Sequence, residues 1–141
     1  MAILTPITMW SDTIAAATAN IDIPENGLIK AVNWSIDLGG MDALGDKYLA
    51  HLSFASTTQA GVNDARAPIS FFSAAQNFLT SGGGIVSDKF ISFGQDGINV
   101  SAGERLYLHA VGSTGVTASN QEVTIYFAFA RQISRAAARR R

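Results

Sequence analysis

The sequence predicts an all-β fold, a jelly-roll β-sandwich of about eight antiparallel strands followed by a short basic C-terminal tail. Three observations predict it. Short stretches alternate apolar and polar residues with a period of two. Clusters of Gly, Pro, Asn and Asp punctuate them. The last such stretch is apolar on one face and hardly polar on the other, which suits a central strand or a subunit interface. With 141 residues the chain fits one domain, residues 1–130, with residues 131–141 as the tail.

The first expected strand covers residues 13–23, where Ala19, Ile21 and Ile23 alternate with Thr18, Asn20 and Asp22. Pro24-Glu25-Asn26-Gly27 reads as a turn, with Gly27 supplying a positive φ. Residues 28–38 then read as the partner strand of a hairpin, with Val32, Trp34, Ile36 and Leu38 on its apolar face. A loop over residues 39–46 leads to a strand over residues 47–57, with Tyr48, Ala50, Leu52 and Phe54 on one face.

After a small, polar loop at residues 59–67, residues 69–72 form a short apolar stretch. Residues 73–80 fit a helical turn that Gly82 could cap. Residues 85–93 read as strand, residues 94–97 as turn, and residues 98–100 as a short strand. Residues 105–111 form a strand with Leu106, Leu108 and Ala110 on one face. Residues 112–120 read as a polar turn region. Residues 121–130 close the fold, with Val123, Ile125, Phe127 and Phe129 as an apolar row.

Composition narrows the function classes. Without cysteine there is no disulfide, no thiolate metal site and no cysteine nucleophile. Charged residues make up only 15% of the chain, against about 25% in typical domains. Either the surface is neutral and rich in hydroxyls, or part of it is given to subunit contact. No apolar run is long enough for a membrane span. The basic start of a secretory signal is missing, so the protein is expected to be made and kept in the cytoplasm until it assembles or is released.

Nothing in the sequence points to an enzyme or to a cofactor. His51 and His109 sit mid-strand without a carboxylate at ligand spacing, which favours structural or interface histidines over a metal site. No serine lies in a nucleophile elbow, and Gly82-Gly83-Gly84 lacks the lysine of a phosphate loop. Asp42 and Asp46 share a loop without calcium-loop spacing. Asn33 and Asn99 head glycosylation sequons but fall in strands. Trp10, Trp34, Tyr48, Tyr107 and Tyr126 could build a sugar platform. The alternative for Trp34 is the core, since its face also carries Val32 and Ile36.

Charge is distributed unevenly. All eleven acidic residues precede residue 123, which leaves −6 on residues 1–130 and +5 on the last eleven. Arg131, Arg135 and Arg139 would share one side of a helix, and Arg140 and Arg141 follow. Docking on an acidic protein partner or a neighbouring subunit is favoured over a solvated charge run. Nucleic acid ranks third, because the body is acidic.

Two stretches carry a resemblance. One is Ile21-Asp22-Ile23-Pro24-Glu25-Asn26-Gly27-Leu28-Ile29. The other is Val100-Ser101-Ala102-Gly103-Glu104-Arg105-Leu106-Tyr107-Leu108-His109, followed by residues 123–129. Together they resemble small jelly-roll proteins of bacteriophage particles: capsid decoration (cement) proteins, fibre heads and tumour-necrosis-factor-like trimers. The resemblance implies a homotrimer in the virion that contacts the major capsid protein or other virion proteins. It implies that Gly103 serves the bend into the penultimate strand and that the last strand lines a threefold contact. Tyr107, Tyr126, Phe127 and Phe129 are then the expected core and subunit-contact residues. The arginine tail lies outside that pattern; Arg131, Arg135, Arg139, Arg140 and Arg141 are expected to dock on the shell. A receptor- or carbohydrate-binding head is the alternative.

Overall fold

The computed structural model describes residues 3–11, 19–41, 44–54, 69–75 and 84–130. They form nine strands: β1 (Thr5–Ser11), β2 (Ala19–Asp22), β3 (Gly27–Gly39), β4 (Lys47–Ser53), β5 (Ser70–Ala75), β6 (Gly84–Ser92), β7 (Ile98–Val100), β8 (Arg105–Gly112) and β9 (Thr117–Phe129). One sheet runs β1-β9-β3-β6, with β7 also paired to β3, and the other runs β2-β8-β4-β5. Every pairing is antiparallel. Successive strands alternate between the sheets except at β4/β5 and β6/β7. This is the jelly-roll order, in which each sheet interleaves early and late strands.

The core lies between the sheets. Val32, Trp34, Ile36 and Leu38 of β3 and Val123, Ile125, Phe127 and Phe129 of β9 face Tyr48, Ala50 and Leu52 of β4 and Leu106, Leu108 and Ala110 of β8. The period-two rows expected on these strands are therefore the rows that are buried. β9 is central, held by β1 on one side and β3 on the other, with Glu122, Thr124 and Tyr126 half-buried on its outward face. Two buried hydrogen bonds cross the core. Trp34 Nε1 of β3 donates to Ser70 Oγ of β5 at 2.8 Å, and the Tyr48 hydroxyl of β4 meets Gln121 Oε1 of β9 at 2.5 Å. Each joins one sheet to the other.

Several expectations are corrected. The hairpin expected across residues 24–27 does not form: β2 pairs with β8, whereas β3 pairs with β9, β6 and β7. The Pro24–Gly27 corner carries the chain from one sheet to the other, and Ile23, completely buried, is its anchor in the core. Gly27 is not a positive-φ residue. It is a place without room, because a Cβ there would sit 2.4 Å from the carbonyl oxygen of Ala128. β1 was not expected; Pro6 breaks its pattern, and an edge strand tolerates a proline. β5 continues as strand through Ala75 where a helical turn was expected from residue 73. β9 begins at Thr117, inside the expected turn region. The bend at Gly103 does occur, with φ at +88°. The tail, residues 131–141, and the expected strand portion at residues 13–18 lie outside the described residues.

Candidate functional site

Alternation on the β1-β9-β3-β6 sheet sends one set of side chains to the core and the other outward. Cross-strand register arranges the outward set in rows. Trp10, Glu122, Ser35 and Asp88 form one row across the four strands. Thr8, Thr124, Asn33 and Phe90 form the next, and Pro6, Tyr126, Ala31 and Ser92 the third. Asn120 and Asp37 stand side by side ahead of the first row. The face thus combines hydroxyls, amides, three carboxylates and three aromatic rings, and these outward positions include no lysine or arginine.

Its aromatic groups are held rather than loose. Trp10 is 54% exposed, and its Nε1 donates to Asn120 Oδ1 at 2.8 Å. Phe90 is 64% exposed and meets Tyr126 edge-on, with ring centroids 6.2 Å apart. The Thr8 and Thr124 hydroxyls are hydrogen-bonded at 2.8 Å. Trp10 stands on one edge strand and Phe90 on the other, each leaving aromatic surface in water, which costs about 25 cal/mol per Å² of apolar area.

The opposite sheet behaves differently. His51 of β4 and His109 of β8 are direct cross-strand partners, with ring centroids 5.0 Å apart. Both are completely buried although they occupy positions opposite the core row, and Ser53 beside them is equally buried. Among the described residues no three His, Cys, Asp or Glu side chains converge as metal ligands. Between the edges of β5 and β6 lies a cavity of about 220 Å³ lined by Ile69, Ser70, Phe71, Lys89 and Ile91. The Lys89 ammonium sits 5.3 Å from the centre of the Phe71 ring, a cation–π contact at this open end of the sandwich.

One ion pair lies on the surface. Arg105 Nε binds Asp22 Oδ1 at 2.6 Å across the β2–β8 pair, and both side chains are largely exposed. That hydrogen bond, reinforced by the guanidinium charge, holds the Asp22 carboxyl below its ordinary value and raises Arg105. Burial pushes the Tyr48 phenol well above its ordinary value, so it serves as a neutral hydroxyl.

The expected site residues separate. Phe127 and Phe129 stack on each other inside the core, centroids 5.1 Å apart, with 0% and 5% exposure. Tyr107 and Tyr126 are half-buried on the outward faces of opposite sheets. The five tail arginines lie outside the described residues. Of the aromatics considered for a sugar platform, Trp34 and Tyr48 are core residues, and only Trp10 and Tyr126 share an outward face. Phe90 was missed, though its alternation within residues 85–93 was visible; what was not visible is which face the core would claim.

No protein-family model matches the chain, and no curated protein matches it. Among solved structures it is similar to the Eiger tumour necrosis factor of S. frugiperda, at 12% identity over 88% of this chain and 84% of that one, with a TM-score of 0.45. It is also similar to the VP2 protein of infectious bursal disease virus, at 14% identity over 86% of this chain and 31% of that one, with a TM-score of 0.43. A third is the C-terminal CBM6 of LamC, a marine laminarinase from Zobellia galactanivorans, at 12% identity over 85% and 99% of the two chains, with a TM-score of 0.38.

Proposed function

We propose that this chain is a structural protein of a virus particle, a decoration protein that cements a bacteriophage shell as a homotrimer. The observation that supports the reading is the exposed aromatic face of the β1-β9-β3-β6 sheet, in a chain where charge is scarce. Its work is done by buried contact area, and its attachment by the arginine tail, which docks on an acidic surface in the particle. Of the four expected contact residues, Tyr107 and Tyr126 retain surface for a partner, whereas Phe127 and Phe129 stiffen the strand that presents Tyr126.

Light scattering on the pure chain is expected to give three times 14.9 kDa. Binding to undecorated particles is expected to weaken when Arg135, Arg139 and Arg140 are changed to Gln. A tail variant that decorates as tightly as the parent removes the docking role, and a monomer at all concentrations removes the trimer.

A receptor- or carbohydrate-binding head is the second reading, favoured by Trp10, which is 54% exposed and held by Asn120 beside the Thr8 and Thr124 hydroxyls. Tryptophan fluorescence separates the two. Trp34 is fully buried, so a glycan on this face is expected to perturb Trp10 alone. A quench that survives Trp10→Phe argues against the face.

A further inference from the structure

We propose that the outward face of the β1-β9-β3-β6 sheet binds the arginine-rich segment 131–141 of a second copy of this chain. The proposal rests on the reading of the tail as a docking segment and names its partner surface. Glu122 and Asp88 lie in one row, separated by Ser35 on the intervening strand. They stand roughly 10 Å apart, two strand spacings. Asp37, on the β3 strand between them, neighbours Asn120 of β9 one row on. That row begins at Trp10 on one edge, and the next row ends in Phe90 on the other, exposed 54% and 64%, with Tyr126 against Phe90.

Carboxylates flanked by exposed rings suit guanidinium groups in particular. Arginine pairs with a carboxylate through a planar fork and stacks its flat face on an aromatic ring, which lysine does not do equally well. The chain supplies the complement itself. Five arginines occupy residues 131–141, against −6 on residues 1–130.

Geometry favours a second copy over the chain's own tail. β9 ends at Phe129, seven residues beyond Glu122. An extended chain advances about 3.3 Å per residue, so a tail turning back along its own sheet would reach the Glu122 row only near Arg139. A tail arriving from another copy can lay Arg131, Arg135 and Arg139 across the whole face. Tail-to-face contact is heterologous, so it builds rings or open arrays rather than twofold pairs.

A charge swap in full-length protein tests this without any particle, so its result is independent of shell binding. One variant carries Glu122→Lys and Asp88→Lys; the other carries Arg135→Glu, Arg139→Glu and Arg140→Glu. Sedimentation at low salt is expected to show that the parent associates. Each variant alone is expected to weaken that association by at least about tenfold, as for other close interfacial charge pairs. An equimolar mixture of the two variants is expected to recover it, because the acidic tail of one meets the basic face of the other. Circular dichroism like the parent's confirms that both are folded. Variants that associate as the parent does, or a mixture that fails to recover association, overturn the proposal. So does a parent that stays monomeric, which is also the result if the tail folds onto its own sheet.

Discussion

At the residue scale, the two hydrogen bonds that cross the core show why a buried polar group can be worth keeping. Tyr48 is completely buried, yet its hydroxyl meets Gln121 on the other sheet at 2.5 Å. Tyr48→Phe keeps the ring and strands a buried amide oxygen, which costs about 1–3 kcal/mol; chemical denaturation measures it directly. Gly27 is stricter still. A methyl there meets backbone, the Ala128 carbonyl at 2.4 Å, so no rotamer relieves it. Gly27→Ala is expected to cost more than the roughly 1 kcal/mol typical of single substitutions, and a lowered Tm is the readout. The Asp22–Arg105 pair acts at the surface and is weak. Because the folded Asp22 is held below its unfolded value of 3.8, its contribution is present above that pH and is lost as pH falls through the folded value. In Asp22→Asn the stability profile below about pH 4 flattens slightly; an unchanged profile means the pair contributes nothing.

Elements, more than residues, decided how much could be read in advance. Alternation alone identified the buried rows of β3, β8 and β9, because a strand with one face on a core must bury every second side chain. Partner choice was hidden. β2 and β3 look like a hairpin because they are adjacent amphipathic strands joined by a Pro/Gly corner, but the same signals serve a chain that crosses between layers. β1 escaped notice for a local reason, since Pro6 reads as a break unless its strand is known to lie at an edge. The candidate face was legible only in fragments. Trp10 and Tyr126 were visible as aromatics, but their sharing a face with Phe90 depends on pairings between residues far apart in the chain. The alternation on β9 can be tested. Ile125→Ala should cost about 2–5 kcal/mol as a core truncation. Thr124→Ala, one residue away and facing outward, should cost under about 1 kcal/mol.

At the scale of the whole molecule, the sandwich separates its tasks by sheet. The β2-β8-β4-β5 sheet buries even its outward centre, with His51, His109 and Ser53 inaccessible. The β1-β9-β3-β6 sheet leaves aromatic rings and carboxylates in water. One layer is closed over its outward centre, and the other leaves polar and aromatic side chains exposed.

The pairing of β1 with β9 also sets a timetable. The strand nearest the N-terminus is hydrogen-bonded to the one made last, and β2 and β3 likewise take β8 and β9 as neighbours. A growing chain therefore has no partners for β1 and β2 until residues 105–129 have emerged, and β3 meets only β6 and β7 before then. Folding waits for near-completion of synthesis, and non-local closure of this kind is slow. Chains stalled on the ribosome before β9 has left the exit tunnel are expected to be protease-sensitive, and those released beyond it protected. Protection that grows steadily with length would show that the early strands find other partners first.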